Sequence, residues 1–424
     1  MLDRQTANRF LEILKEELVP AMGCTEPIAL AYCAALARET LGVMPERVHL
    51  QVSPNIIKNV KSVVVPHTGN LRGIEAAAAA GIVAGDVCLC LEVLSHVTPA
   101  QIDAIRQYLH NIPITTAPLE STCVFDIIVQ VFSGCHSATV RIAGTHTNVI
   151  LKEKDGQVLF QQALPTHQSN PKTDRSTLSV EKIVAFADWV DLESVIPILD
   201  RQIRYNTAIA REGLSGNWGA GIGRVLLHSY GDSVHNRAKA MAAAGSDARM
   251  SGCEMPVIIN SGSGNQGMTA SLPVIVYADH LQVSQDLLYR ALIVANLVTI
   301  HLKTGIGTLS AYCGATSAGC GAGAGITYLY GGKANEIAHT IVNAVAINSG
   351  MICDGAKPSC AAKIASAVEA GLLGMHMQMQ GTEFYGGDGI VVKGVENTIS
   401  NIGRLARDGM AQTDREIIQI MTGC

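Results

Sequence analysis

The chain is organised around a segment that begins Leu309-Ser-Ala-Tyr-Cys313-Gly-Ala-Thr-Ser-Ala-Gly-Cys320-Gly-Ala-Gly-Ala-Gly and ends Gly350-Met-Ile-Cys353-Asp-Gly-Ala-Lys-Pro-Ser-Cys360-Ala-Ala-Lys363. Four cysteines fall in this one segment. Thiolates are the soft ligands that iron–sulfur clusters and zinc select. The segment therefore indicates a metal site, against the alternative that its thiols are buried core residues.

Zinc is the less favoured metal. Structural zinc sites usually pair cysteines about two to four residues apart, whereas both pairs here are Cys-x6-Cys. If Cys313 and Cys320 share a helix, their Cα atoms lie roughly 10.5 Å apart, so we expect only one of them to bind metal. Pro358 prevents a continuous helix between Cys353 and Cys360 and lets the chain offer both thiolates. Three thiolates on a four-iron cluster leave one iron open as a Lewis acid.

Further short motifs accompany this segment. They are Gly23-Cys-Thr-Glu-Pro27, Ser53-Pro-Asn55, Asn260-Ser-Gly-Ser-Gly-Asn-Gln-Gly267 and Gln412-Thr-Asp-Arg415. Over nearly its whole length the chain resembles the L-cysteine desulfidase family, which is similar in its second half to the α part of iron–sulfur L-serine dehydratases. The resemblance implies a 4Fe-4S cluster held by three cysteines, whose sulfurs we expect to cluster even without metal. The ligands are Cys313, Cys353 and Cys360, with Cys320 as the alternative to Cys313.

Cys24 is the candidate catalytic residue. Thr25 is a suitable helix N-cap and Pro27 fits the first turn, so Cys24 lies just before a helix N-terminus. The helix dipole lowers a thiol pKa at such a position. The alternative is a small loop residue, and the resemblance favours a catalytic base or a thiol next to the cluster.

Polar loops supply candidates for substrate binding. They are Ser53, Asn55, His67, Thr68, His146, Asn148, Ser261, Ser263, Asn265 and Gln266. The last four lie in a stretch that contains G-x-G-x-x-G, but Pro273 follows closely and no βαβ unit continues, which disfavours a dinucleotide site. A loop that holds the amino or carboxylate group of a substrate is the better interpretation.

The chain ends in Gly423-Cys424. Termini are usually disordered, so a surface cysteine is the default expectation. In the serine dehydratases that this chain resembles, a C-terminal cysteine caps the open iron of the cluster. The resemblance therefore implies that Cys424 covers the open iron until substrate displaces it.

Composition limits the class of protein. Hydrophobic residues make up 48% and aromatic residues 4% of the 424 residues, so the cores must be aliphatic. A formal charge of −5 without a basic run argues against a nucleic-acid partner. Charged residues in positions 1–20 disfavour a signal peptide, and Asp286 and Arg290 disfavour a membrane span over 284–300. Twelve cysteines then point to metal or catalysis in a cytoplasmic protein.

The hydrophobic pattern predicts an α+β protein. N-terminal helices (1–42) should pack on a helical domain, because Cys24 must reach the cluster. A small mixed domain with an antiparallel sheet should span 45–175, with strands over 46–66 and a meander over 122–162. Residues 180–424 should form an all-helical, Ala- and Gly-rich domain that carries the cluster.

The expected reaction is α,β-elimination from L-cysteine, giving sulfide, ammonia and pyruvate without pyridoxal phosphate. The same chemistry on L-serine is the alternative within enzymes, and a non-catalytic iron–sulfur sensor or storage protein is the alternative outside them. The expected partner is a small amino-acid substrate, with a homodimer as the assembly to be tested.

Overall fold

Two hydrophobic cores organise the computed structural model, which describes residues 2–164, 173–307 and 310–422. The first, the helical core, is built from helices and contains Phe10, Phe186 and Tyr277. The second, the sheet core, lies between a sheet and helices and contains Leu50 and Val129. The α+β class predicted from the sequence is confirmed.

The sheet core is built on a six-stranded sheet with the order β3-β2-β4-β5-β6-β7. Its strands are β2 (Arg47–Val52), β3 (Ile114–Pro118), β4 (Asp126–Ser133), β5 (His136–Ala143), β6 (Val149–Lys154) and β7 (Gln157–Gln161). The sequence predicted an antiparallel sheet. The observed sheet is mixed, because β2 and β3 pair in parallel while the other neighbouring strands are antiparallel. A parallel pair needs a long crossover, which here contains three helices.

Four helices belong to the sheet side of the molecule. They are α2 (Thr25–Leu41), α3 (Pro54–Val60), α4 (Ile74–Ala84) and α5 (Pro99–Asn111). Two expectations were wrong here. Helix α2 packs in the sheet core rather than on the helical domain, since its alanines lie directly against α4. Residues 46–66 are not all strand, because Pro54 starts a helix after β2.

The remaining helices lie outside the sheet core, and most of them contribute to the helical core. They are α1 (Arg4–Glu17), α6 (Val180–Trp189), α7 (Ile196–Ser215), α8 (Ile222–Tyr230), α9 (Val234–Met250), α10 (Gly264–Leu281), α11 (Gln285–Ile306), α12 (Gly314–Leu329), α13 (Ala334–Ile347), α14 (Cys360–Met379), α15 (Val395–Arg404) and α16 (Ala411–Thr422). Short strands β1 (Pro20–Met22) and β8 (Pro256–Ile258) pair antiparallel and tie the N-terminal segment to this core.

Helices α11, α12 and α14 pack closely in the middle of the helical core. A Cβ on Gly371 of α14 would lie 2.2 Å from the Gly319 carbonyl oxygen of α12, so the two backbones are in direct contact. In the described part of the chain, α11 is the one helix long and apolar enough to cross a membrane, and 72% of its apolar window is buried inside the protein. That burial is typical of a core helix.

Candidate functional site

A cavity of about 130 Å³ lies where the two cores meet. Its wall is formed by the first residues of α2, α10, α12 and α14, the ends of α9 and α11, part of α3, and the β5–β6 turn. Residues distant in sequence thus line one space. Cys24, Cys313, Cys353 and Cys360 all belong to this wall.

Backbone pairing joins the two halves of the cysteine segment. Tyr312 and Ile352 form an antiparallel bridge. Around it, the Cys313 N–H donates to the Met351 carbonyl (3.0 Å) and the Cys353 N–H donates to the Ala311 carbonyl (2.6 Å). Cys313 is also the N-cap of α12. This pairing brings the Cys313 and Cys353 side chains into hydrogen-bond contact.

The other two cavity thiols lie nearby. Cys360 is the first residue of α14, and its Sγ lies 3.7 Å from the Gly355 carbonyl oxygen. Cys24, the N-cap of α2, packs with Cys360 in a small apolar cluster. Its Sγ is 3.8 Å from the Met250 sulfur. Cys320 is buried within α12 and does not line the cavity.

The surroundings of the thiols set their protonation. The hydrogen bond from Cys313 and the nearby Lys58 and Lys303 lower the pKa of Cys353 to about 5, against the effect of burial. The same hydrogen bond and burial raise the pKa of Cys313. In this contact Cys313 is the hydrogen-bond donor and Cys353 is the acceptor.

The pKa of the Cys24 thiol differs from the sequence-based expectation. We expected the N-terminus of α2 to lower the pKa of this thiol. Burial instead raises the pKa of Cys24 to about 12, although Arg249 acts in the opposite direction. Complete burial outweighs the dipole because a thiolate loses its hydration there.

Four helices present uncapped N-termini to the cavity. Neither Cys24 before α2, Ser263 before α10, Cys313 before α12 nor Ser359 before α14 makes a side-chain capping hydrogen bond. Some helices that start elsewhere are capped, such as those behind Thr98 and Ser233, whereas α3, α4, α7, α8 and α15 also begin without a side-chain cap. Free N–H groups and the positive end of a helix dipole favour anions. The cavity is thus built to hold negative charge.

Cationic side chains add to this field. The Lys58 Nζ donates to Asp414 Oδ1 (2.5 Å), and the Lys58 side chain is 1% exposed. Lys363 and Lys357 both pair with Asp354, and these lysines lower the pKa of that carboxyl to about 2. The Lys58 pair joins α3 of the sheet side to α16 of the helical side.

Two more cations line the cavity without a carboxylate partner in the ranges that the structure describes. Lys303 is buried at the end of α11, donates to the Gly307 carbonyl, and has its pKa lowered to about 8 by burial. Arg249, at the end of α9, donates to Asn265 Oδ1 (3.2 Å). Glu26 is the carboxylate that faces the same space.

The predicted substrate-binding residues separate into two groups. The cavity wall includes His146, Ser261, Ser263, Asn265 and Gln266. The His146 ring packs edge-on against Phe125 and faces Gly262. The loop 260–263 is held to α2 by a hydrogen bond from Thr25 Oγ1 to the Gly262 carbonyl (3.2 Å).

The second group does not line this cavity, so substrate binding by these residues stays a prediction. Ser53 Oγ donates to the Val124 carbonyl (2.8 Å), and Thr68 Oγ1 donates to the Val65 carbonyl (2.7 Å). His67 faces Glu254 (3.3 Å), and Asn148 donates to the Ala143 carbonyl (2.8 Å). Asn55 lies on α3 outside the wall. Thr68 and Asn148 thus stabilise local turns, whereas Ser53 and His67 contact residues distant in sequence.

Sequence reasoning missed Lys58, Lys303, Arg249 and Glu26. All four lie in helices, and only Glu26 belongs to a motif quoted above, the one from Gly23 to Pro27. The signal that could have found Lys303 is a charged residue in the apolar second half of α11, whereas α9 contains several charged residues and gives no such signal for Arg249. Cys424 lies outside the described residues.

An iron–sulfur cluster fits the donor set of this wall. Within 2–164, 173–307 and 310–422, no group of three or more His, Cys, Asp or Glu side chains is arranged to hold a metal ion, so the expected convergence of three sulfurs is not found. The thiols instead line a shared cavity. This arrangement suits a cluster, because the ligands of a multi-iron group surround it and do not meet at a single metal ion. The uncapped helices and the cations complement the negative charge of thiolate-bound iron.

Comparison with known proteins decides the family. Residues 89–419 match the family described as "Serine dehydratase alpha chain". The chain belongs to the serine dehydratase alpha chain family. A UPF0597 protein of Desulfitobacterium hafniense is 61% identical over 412 residues, covering 97% of this chain and 96% of that protein. UPF0597 proteins of Lachnoclostridium phytofermentans (52% identical; 97% and 99% covered) and Finegoldia magna (47% identical; 97% and 99% covered) are also similar to it. The serine dehydratase match includes Cys313, Cys353 and Cys360.

Proposed function

We propose that this protein is an iron–sulfur-dependent lyase that catalyses α,β-elimination of L-cysteine. The observation that carries the proposal is the set of three thiols, Cys313, Cys353 and Cys360, in a cavity faced by four uncapped helix N-termini. Membership of the serine dehydratase alpha chain family supports a lyase of that type. The three thiols would hold a 4Fe-4S cluster, with Cys313 rather than Cys320 as the third ligand.

The reaction removes a proton from Cα and a thiolate from Cβ. L-Cysteine gives sulfide and aminoacrylate, and water then converts aminoacrylate to pyruvate and ammonia. When bound, the cluster would supply Lewis-acid chemistry at its open iron. The chain itself would bind a zwitterion, because its cations and uncapped helices attract a carboxylate while Glu26 attracts an ammonium group.

A base must also take the Cα proton. Cys24 remains our proposed base, since it lies in the wall beside Cys360. Burial keeps it a thiol in the cluster-free protein. The proposed mechanism therefore requires that filling the cavity lowers the pKa of Cys24 toward the working pH.

L-Serine is the second candidate substrate. The family match to serine dehydratase alpha chains favours it directly. The two substrates differ by a thiol and a hydroxyl, and a site built to hydrogen-bond a hydroxyl discriminates strongly against an analogue that lacks it. The wall near the thiols includes the apolar groups Ala315, Ala356 and Ile364, which is why we propose L-cysteine first.

The test is anaerobic reconstitution of the full chain with iron and sulfide, followed by separate assays on both amino acids. Pyruvate and sulfide in equal amounts from L-cysteine, with a higher kcat/KM than for L-serine, would support the proposal. Pyruvate from L-serine alone would establish the second candidate. A bound cluster without turnover of either amino acid would indicate the non-catalytic sensor or storage protein.

Location and assembly follow as proposals. We propose a cytoplasmic enzyme whose partner is a small amino acid rather than a nucleic acid or a membrane, and whose assembly is a homodimer. Sedimentation of the reconstituted protein would test the assembly directly.

A further inference from the structure

Arg249 is a buried arginine that lines the cavity without an acidic partner. It is 4% exposed and lies in the last turn of α9. Its Nη1 donates to Asn265 Oδ1 (3.2 Å), and its Nε has no hydrogen-bond partner. In the part of the chain that the structure describes, no carboxylate lies within ion-pair distance of it. A buried, unpaired charge costs several kcal/mol of desolvation, so its presence needs an explanation.

The guanidinium lies directly against the N-terminus of α10. A Cβ on Gly264, the first residue of that helix, would be 2.4 Å from Arg249 Nε. Ser263 provides no capping hydrogen bond there. The helix N-terminus and the guanidinium are both positive and repel each other at this distance. An anion between them would remove both the repulsion and the unsatisfied donors.

The other cations in the wall are already occupied. Lys58 pairs with Asp414, and Lys363 pairs with Asp354. Lys303 donates to the Gly307 carbonyl. Arg249 differs from these lysines because, within the described residues, it lacks a carboxylate partner and also keeps an Nε donor without a hydrogen-bond partner.

We propose that Arg249 and the N-terminus of α10 form the binding site for the α-carboxylate of the amino-acid substrate. The planar guanidinium presents two donors that match a carboxylate. Ser263 adds a hydroxyl that caps nothing else. This inference rests on the proposed function and assigns one end of its substrate.

The arrangement also explains selection of an amino acid over a simple carboxylic acid. Glu26 lies on α2, whose N-terminus is tied to the 260–263 loop by the hydrogen bond from Thr25 to Gly262. The Glu26 carboxylate, which can accept hydrogen bonds from an ammonium group, and the Arg249 guanidinium, which can donate to a carboxylate, therefore face one cavity. A zwitterion whose carboxylate meets Arg249 can direct its ammonium group toward Glu26.

The test uses L-alanine and L-alaninamide as probes, because neither has a leaving group and binding is separate from turnover. Calorimetric titration is carried out on the full chain, both cluster-free and reconstituted. We expect L-alanine to bind roughly 10-fold or more tighter than the amide, the scale of a charge-assisted hydrogen-bond pair. Arg249→Gln should abolish this preference in both states. Arg237→Gln is the matched control, since Arg237 lies on the same helix and pairs at the surface with Asp232.

Arg249→Lys keeps the positive charge but loses the two-donor geometry, so it should retain part of the preference for L-alanine over L-alaninamide. This variant also serves as a second test in case Arg249→Gln does not fold. An unchanged preference for L-alanine in folded Arg249→Gln and Arg249→Lys would overturn the site. So would an equal affinity of the unsubstituted protein for the two probes. A preference that depends on Arg249, in a protein that turns over neither L-cysteine nor L-serine, would support the carboxylate site and refute the proposed reaction.

Discussion

Cys313 and Cys320 show how strongly local geometry separates two cysteines of one helix segment. Cys313 is the N-cap of α12 and lines the cavity, whereas Cys320 is buried in the helix against the core. We predict that Cys313→Ala abolishes the visible absorbance of the reconstituted cluster and reduces bound iron. Cys320→Ala should retain both, at a stability loss of about 1 kcal/mol. Equal iron content and absorbance in both variants would contradict this assignment.

Cys24 and Cys33 form a second informative pair, since both are buried on α2. If Cys24 is the base, Cys24→Ala should reduce kcat by about 100-fold, the scale of general base catalysis. Cys33 contacts the Val140 carbonyl in the sheet core, so Cys33→Ala should leave kcat unchanged. The measurement is steady-state turnover at equal cluster content. Normal turnover of Cys24→Ala would remove this thiol from the mechanism.

Glu369 gives a prediction for pH. Its hydrogen bond with His235, together with Lys239, lowers the pKa of the Glu369 carboxyl to about 2. A carboxyl with a lowered folded-state pKa contributes stability above its unfolded pKa and loses it as the pH falls toward the folded value. Glu369→Gln should therefore be less stable than the unsubstituted protein at pH 7, and the difference should shrink between about pH 4.5 and pH 2. Salt should also reduce it, because the pair is partly exposed. Urea titrations across this pH range measure the unfolding free energy of both proteins. A difference between them that stays constant with pH would contradict the prediction for Glu369.

At the scale of elements, the contact between α12 and α14 fixes the distance between Cys313 and Cys360, which lie at the starts of these helices. A Cβ at Gly371 has no room, being 2.2 Å from the Gly319 carbonyl oxygen. We predict that Gly371→Ala destabilises the protein by about 1–3 kcal/mol through overpacking. Gly350→Ala, where a Cβ meets nothing within 4 Å, is the control. Chemical unfolding of both variants checks this, and equal stabilities would refute the packing argument.

Elements also show what the sequence could predict. The cysteines and the 260–267 loop were identifiable because glycine, proline and thiol spacing are local signals, and the structure brings them to one cavity. Helix α3 was misread as strand, since its Ile56 and Val60 fit either period. Arg249 was not recognised because its partner loop is reached only through the packing of α9 on α10. The polar loop that contains His67 and Thr68 looked functional, yet Thr68 bonds within its own turn and His67 contacts Glu254 outside the cavity wall.

At the scale of the whole molecule, two cores meet across a charged cavity. The pair between Lys58 and Asp414 is one of the links between them, and a hydrogen bond from Lys61 to the Met421 carbonyl (2.6 Å) is another. Because the junction is polar and its like charges repel when the cavity is empty, we expect the cluster-free protein to unfold in two steps.

The chain provides the probes for this prediction. Its two tryptophans, Trp189 and Trp218, both lie on the helical side, whereas far-ultraviolet circular dichroism reports both sides. In the cluster-free protein the two signals should give different urea midpoints, and reconstitution should bring them together. Asp414→Asn should widen the separation. Coincident curves in the cluster-free protein would show that the cores unfold as one unit.

The position of the cavity between two separate cores has a consequence for protein engineering. Most residues that face the cavity belong to helix ends and loops, while each core is filled mainly by its own apolar side chains. A mutant library confined to the β5–β6 turn around His146 and to Ser261, which spares Gly262 and Gly264 because a side chain there would be strained or would clash, would leave both cores intact. Such a library should change which amino acids are accepted while most of its members still fold, so that substrate range can evolve without a matching loss of thermal tolerance.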